Sequence, residues 1–162
     1  MSRKMLDLFS GMGGASESML LHGWDVKRIE NNPLLMSVPN TEMMDVRQLY
    51  HDLKVKIDAH GDLLTTIDLI WASPPCTEFS DGYSAPKSVA RRNGEDYYPA
   101  SAIDTVMTAK AIIDLLKPRY WVIENVRGSV EFLEPILGKP RKFIDSIVLW
   151  GNFPLFAMPT RS

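Results

Sequence analysis

The segment Asp68-Leu-Ile-Trp-Ala-Ser-Pro-Pro-Cys76 limits the possible architectures more than any other part of this 162-residue chain. Asp68 to Ala72 is a short, nearly unbroken apolar run, the pattern of a strand covered on both faces. Pro74 and Pro75 then fix φ twice and remove their ladder donors, so the chain has to leave its sheet at Ser73. The turn they make is presented at the carboxyl end of that strand. In open α/β sheets this is where ligands bind, and the residue delivered there is Cys76, the single cysteine of the chain. Two readings are open for it: a buried thiol packing as a small hydrophobe, or a nucleophile held on a stiff turn.

The rest of the chain alternates strand-like and helix-like segments. Lys4–Phe9 is apolar and strand-like, and Ser10-Gly-Met-Gly-Gly14 is a glycine-rich turn leading into a helix-like run, Ala15–Leu21, that stops at Gly23. Such glycines let a backbone pass close to a ligand, although the spacing is not G-x-G-x-x-G and a tight ligand-free βα connection would use the same residues. Trp24–Ile29 reads as the second strand and ends in Glu30, the position at which βαβ units bind ribose hydroxyls. Asn31-Asn-Pro33 predicts a helix start, Leu34–Val38 a short helix, and Thr41–Val46 a third strand with Asp45 near its carboxyl end. Gln48 to Asp62 is polar and mixed, a possible helix followed by a loop.

Asp81 to Pro99 reads as a long loop of turn formers carrying Lys87, Arg91 and Arg92 interleaved with Tyr83, Tyr97 and Tyr98. Basic and aromatic residues mixed in this way suit a nucleic-acid backbone and an unstacked base, and they equally suit a solvated loop whose tyrosines pack locally. Ala100–Leu116 repeats apolar residues near period 3.6 and ends at Lys117-Pro118, a clear helix. Tyr120–Ile123 predicts a central strand ending in Glu124, Val130–Leu137 a helix capped by Gly138, and Ile144–Trp150 a last strand before an apolar tail. The alternation predicts one α/β domain spanning 1–162, a Rossmann-like, doubly wound and mostly parallel sheet. Glu30, Asp45 and Glu124 would then stand with Cys76 at one edge of it.

Composition narrows the function classes. A net charge of −2 leaves no whole-protein attraction for a polyanion, so a nucleic-acid surface has to be a local patch. One cysteine excludes an internal disulfide, and His22, His51 and His60 are scattered, so no metal site is legible. No apolar stretch approaches the roughly 20 residues of a membrane span, and the amino terminus carries no apolar signal region. The expectation is a cytoplasmic protein without metal or membrane partner.

Asp7-Leu-Phe-Ser-Gly-Met-Gly-Gly14, Glu30, Asp45-Val46, Ser73-Pro-Pro-Cys76 and Glu124-Asn-Val126, in that order, resemble the S-adenosylmethionine-dependent DNA cytosine-5 methyltransferases. The likeness runs from about Lys4 to Gly128, and the Pro-Pro-Cys and Glu-Asn-Val pair is its most specific part. The resemblance implies a class I methyltransferase fold, S-adenosylmethionine as cofactor and DNA as partner. It implies that Phe9, Ser10, Gly11, Met12, Gly13, Gly14, Glu30, Asn31, Asp45, Val46 and Pro75 form the cofactor site, with Glu30 on the ribose and Asp45 on the adenine. Cys76 and Glu124 would be catalytic, and Pro74, Ser80, Arg91, Arg92 and Asn125 would meet the substrate. Departures from the family pattern are legible too. Asn31 stands where an apolar side chain would stack on adenine, no clear arginine motif follows the Glu-Asn-Val strand, with Arg141 or Lys142 as stand-ins, and no target-recognition domain is recognisable. A prokaryotic or viral enzyme, either weakly specific or completed by a partner subunit or a second copy, is the expectation. A catalytically idle regulatory or DNA-binding relative, and an enzyme acting on RNA or free nucleotide, are the alternatives.

Overall fold

A computed structural model describes residues 1–61 and 66–155. The strands are β1 (Lys4–Leu8), β2 (Asp25–Glu30), β3 (Thr41–Met43), β4 (Leu69–Ala72), β5 (Tyr120–Val126), β6 (Lys142–Ile144) and β7 (Ile147–Gly151). The helices are α1 (Gly14–Leu21), α2 (Val46–His60), α3 (Pro86–Asn93), α4 (Ala100–Leu116) and α5 (Val130–Leu137). The strands form one sheet in the order β3-β2-β1-β4-β5-β7-β6. Pairings from β3 through β5 are parallel, and β7 alone runs against the rest, because it is antiparallel to both β5 and β6. The doubly wound, mostly parallel sheet is therefore as expected.

Strand order reverses between β1 and β4: after β1 the chain winds outward through β2 and β3, then returns to lay β4 against the other side of β1. A crevice opens at the carboxyl ends of strands at such a switch point. The glycine turn after β1 and the Pro-Pro-Cys turn after β4 both stand beside it.

Both faces of the sheet are covered, which is why the central strands lack alternation. Leu6, Leu8, Ile70 and Ile123 pack under α2, α4 and α5, while Met5, Val26, Leu69 and Val122 pack on the face that also carries Met19 and Leu20 of α1. Helix α4 buries Ala102, Ile103, Val106, Ala109, Ile112 and Ile113 along one stripe and ends with Lys117 in the left-handed region before Pro118.

Several expected elements differ. The third strand stops at Met43, and Asp45 caps α2 instead of ending β3: its carboxylate accepts from the Arg47 amide at 2.8 Å, an N-cap bond that favours helix from Val46 onward. The short helix expected at Leu34–Val38 is a single 3-10 turn, Pro33–Leu35, capped by Asn32. Helix α2 takes up the polar segment as far as His60, and Asp62, the last residue of that expected segment, lies outside the described residues, as does the apolar tail beyond Leu155. The last expected strand is the hairpin β6–β7, turned by Asp145 at φ 50° and Ser146. Inside the expected long loop lies α3, with Pro86 at its start and Gly94 in the left-handed conformation at its end. No helix among the described residues is long and apolar enough to cross a membrane.

Candidate active site at the carboxyl ends of the strands

The Pro-Pro-Cys turn is stitched to the end of β5. Parallel register pairs Trp71 with Val122 and Ala72 with Ile123, so continuing it places Ser73 beside Glu124. The Ser73 hydroxyl donates to Glu124 Oε2 at 3.2 Å, and the Asn125 side-chain amide donates to the Pro74 carbonyl at 3.2 Å. Pro74 and Asn125 are buried while Cys76 is exposed. The core reading of the lone cysteine is thereby overturned: Pro74 anchors one side of the turn and buried Phe79, whose amide donates to the Cys76 carbonyl at 2.9 Å, anchors the other. Glu124 lies inside β5 and not at its end, because β7 continues to pair through Val126 after β4 has left the sheet.

Around β1, the glycine turn rests on a buried polar network. Asp7 and Arg28 are paired across β1 and β2, and each is 1% exposed. Ser16 of α1 sits between them, donating to Asp7 Oδ2 at 2.5 Å and accepting from Arg28 Nε at 2.9 Å. The guanidinium also donates to the carbonyls of Gly13 and Pro39 and to Glu17. Gly13 has φ +82°, and a Cβ there would lie 2.5 Å from Arg28 Cζ, so the turn needs glycine at this position. Burial pushes the Asp7 carboxyl up from 3.8 to about 6; Ser16 and Arg28 oppose the rise, and Glu124 and Glu30 add to it. Asp7 Oδ1 and Ser10 Oγ are buried without a hydrogen-bond partner.

Glu30 ties the turn to β2. Its Oε2 accepts from the Gly11 amide at 2.8 Å and its Oε1 from the amides of Asn31 and Asn32, both at 2.9 Å. A carboxylate held by three backbone donors has a fixed orientation and keeps lone-pair capacity for a ligand. Phe9, between β1 and the turn, adopts φ 58°, a strained conformation for a bulky residue beside the crevice.

The crevice is a cleft of about 110 Å³. It gathers Phe9, Glu30, Asn31, Asp45, Val46 and Pro75 of the expected cofactor residues. Ser10, Gly11, Met12, Gly13 and Gly14 do not line it; they shape the turn that closes one side. Arg47, Thr105 and Thr108 also line the cleft and were not foreseen. Arg47 donates through Nε and Nη2 to Asp104 Oδ2 at 2.9 and 2.6 Å, so α2 and α4 are bridged at the cleft wall. The hydroxyls of Thr105 and Thr108 donate back to the carbonyls of Ser101 and Asp104, both at 2.9 Å.

Beyond Phe79 the expected substrate residues separate. Ser80 accepts from the Gly82 amide at 3.1 Å. Lys87, expected on a long loop, is 6% exposed: Nζ donates to the Gly128 carbonyl and pairs with Asp81 and Glu131 at 3.0 and 2.7 Å. Burial depresses its pKa, but the Glu131 and Asp81 carboxylates outweigh that and leave it raised. Gly128 packs so closely that a Cβ would lie 2.2 Å from the Phe79 carbonyl. Arg91 lines an open groove with Arg127, whereas Arg92 is turned onto Tyr83, donating to its carbonyl at 2.7 Å with Cζ 4.0 Å from the ring centre. Arg141 lies over Phe153 and donates to its carbonyl at 2.7 Å. Among the described residues no cluster of acids, histidines and cysteine could hold a metal.

The sequence profile of the C-5 cytosine-specific DNA methylase family matches residues 3–134. No curated protein matches in sequence. Among solved structures, a candidate DNA modification methyltransferase encoded within an Escherichia coli prophage aligns with a TM-score of 0.59 and 19% identity, over 93% of this chain and 46% of that one. The Thermus thermophilus 16S rRNA N2 G1207 methyltransferase, solved with S-adenosylmethionine and guanosine, aligns with a TM-score of 0.51 and 11% identity, over 93% and 34%. A second Thermus thermophilus protein, described as hypothetical, aligns at 0.52 and 14%, over 91% and 73%. At these identities the structural likeness speaks to the fold. The chain spans about half the length of the prophage protein and about a third of the ribosomal RNA enzyme.

Proposed function

The chain belongs to the C-5 cytosine-specific DNA methylase family, and on that premise we propose that it methylates carbon 5 of cytosine in DNA through a covalent bond between Cys76 and the base. The observation that carries this reading is the junction of β4 and β5: Ser73 to Glu124 and Asn125 to Pro74 tie the turn that bears the exposed Cys76 to the strand that bears Glu124, with Pro75 on the wall of the cleft.

The residues fit S-adenosylmethionine, the methyl donor that family and fold imply. Phe9, Ile29, Met44, Val46 and Pro75 offer apolar surface for a purine, and Glu30, Asp45 and Arg47 offer polar groups at the edges. The unpartnered Asp7 Oδ1 and Ser10 Oγ, at the end of β1, suit the charged amino-acid end of that molecule. Bound there, it supplies an electrophilic methyl group on a cationic sulfur.

Carbon 5 of cytosine is a weak nucleophile, so the protein has to make it stronger. The Cys76 thiolate adds to C6, forming a C–S bond and moving the π electrons of the C5–C6 bond toward C5. Glu124, hydrogen-bonded to N3 or protonating it, accommodates the charge that develops in the ring. The resulting enamine would take the methyl group at C5 as the methyl–sulfur bond breaks, leaving the neutral thioether S-adenosylhomocysteine. Loss of the C5 proton to a base then re-forms the double bond and expels the Cys76 thiolate, so the enzyme is regenerated. The base reaches this pocket only outside the DNA stack. Arg91 and Arg127, which line one groove, hold the DNA backbone.

The test is transfer of label from methyl-labelled S-adenosylmethionine to DNA, RNA and free nucleotide in parallel, with product bases identified by mass spectrometry. 5-Methylcytosine in DNA is expected. Label at an exocyclic nitrogen, or in RNA or nucleotide alone, would contradict the proposal.

A further inference from the structure

We propose that Trp71 and Ser73 are positioning residues that fix which oxygen of Glu124 is turned to the base, an inference that rests on the proposed role of Glu124 for its consequence. Three side chains stand in line. The Trp71 indole Nε1 lies 2.8 Å from Ser73 Oγ, and Ser73 Oγ lies 3.2 Å from Glu124 Oε2. All three are half-buried, where a hydrogen bond competes less with water than on the open surface.

The direction of the chain follows from the donor inventory. An indole N–H can only donate, so Ser73 Oγ accepts from it. The serine has one proton, and with its lone pair engaged by Trp71 that proton points to Glu124 Oε2. Oε2 is thereby the accepting oxygen. Of the two carboxyl oxygens, the one that accepts from a hydroxyl is the carbonyl-like one when the group is protonated, so the acid proton sits on Oε1. Oε1 takes no hydrogen bond from the described residues and is left for a substrate atom. The serine thus sorts the two oxygens, one tied back to β4 and one offered to the base.

Backbone geometry makes the arrangement rigid. Trp71 of β4 and Ser73, the residue after the strand, are two apart in one extended segment and therefore share a face. The Ser73 amide donates to the Leu8 carbonyl at 3.2 Å, so the hydroxyl is held between β1 and β5. Pro74 follows at once and restricts the Ser73 backbone to extended conformations. A tryptophan in a polar strand end is otherwise costly unless its N–H finds a partner, which the serine supplies.

The test begins with a measurement that needs no turnover. In the ¹H–¹⁵N spectrum of the whole chain, the Trp71 indole resonance is assigned by its loss in Trp71→Phe. We expect it to move upfield in Ser73→Ala, and by a smaller amount in the same direction in Glu124→Ala, because removing the last acceptor weakens the polarised serine. An indole resonance indifferent to Glu124→Ala would overturn the chain. In kinetics, Ser73→Ala should lower kcat by about 10- to 100-fold with little change in KM for DNA. Ser73→Thr, which restores the hydroxyl, should recover most of the rate, and Ser73→Ala in the Glu124→Gln background should cost nothing further. Full additivity of the two changes, or a loss confined to KM, would also overturn the proposal. A wild-type protein that shows the coupled indole shifts yet transfers no methyl group would refute the proposed function and leave the oxygen-sorting geometry standing.

Discussion

Asp7→Asn should make the folded protein relatively more stable as pH rises, and the size of the effect follows from one buried carboxyl. Asp7 is 1% exposed, and its pKa is raised from 3.8 to about 6, chiefly by burial. An acid whose folded pKa lies above its unfolded one binds more protons when folded, so the wild type loses stability as pH climbs through that window. The full loss is the rise from 3.8 to about 6, taken at about 1.36 kcal/mol per pH unit, or about 3 kcal/mol by neutral pH. About 2 kcal/mol of it falls between about pH 4.5 and pH 7. Asparagine does not titrate there. Any constant cost of burying its amide is the same at every pH and cancels from the slope. Urea denaturation of both proteins across that range gives the difference in unfolding free energy directly. It should shift in favour of Asp7→Asn by about 2 kcal/mol, and a difference independent of pH would refute the assignment of Asp7 as a carboxyl held up by burial.

Gly128→Ala should cost about 2 kcal/mol in thermal or urea unfolding, because its Cβ would meet the Phe79 carbonyl at 2.2 Å; wild-type stability would contradict the tight apposition of the Cys76 turn and the segment that follows β5. Arg91→Ala should flatten the log–log salt dependence of DNA binding by about one unit, while Arg92→Ala should leave it unchanged, since that guanidinium is engaged by Tyr83; equal slopes for both variants would contradict the distinction. Arg47→Ala should weaken binding of S-adenosylhomocysteine in calorimetry by a few-fold, or about 0.5–1 kcal/mol, by opening the cleft wall that Asp104 braces, and an unchanged Kd would remove Arg47 from the site.

The sheet was legible because local chemistry dictates it. Pro74-Pro75 can only end a strand, and the apolar runs at Lys4–Leu8, Leu69–Ala72 and Tyr120–Ile123 can only be satisfied between two covering layers. Glu30 at the end of β2 was visible for the same reason, whereas Glu124 falls inside β5 because β7 pairs on through Val126. Helix α3 was not legible as a helix because its own boundary residues, Pro86 and Gly94, are also turn formers, and only Lys87 and Ala90 within it are buried. Arg47, Thr105 and Thr108 reach the cleft because α2 packs on α4, a tertiary contact with no trace in either segment's periodicity. Arg28 reads as one more polar residue of β2, yet it is fully enclosed and holds the glycine turn from beneath. Asp45 shows a subtler shift: its place beside the cleft was legible, while its bond to the Arg47 amide, which starts α2, required the fold.

DNA carrying 5-fluorocytosine tests the central claim most directly. Fluorine at C5 cannot leave as a proton, so after addition of Cys76 and transfer of the methyl group the C–S bond cannot be broken by elimination. With S-adenosylmethionine present, the account predicts a denaturation-resistant protein–DNA species whose digest places the base on the peptide containing Cys76, and its complete loss in Cys76→Ser, because a hydroxyl is far less ionised than a thiol. Methylated cytosine formed by the wild type without any such adduct, or an adduct that persists in Cys76→Ser, would contradict it.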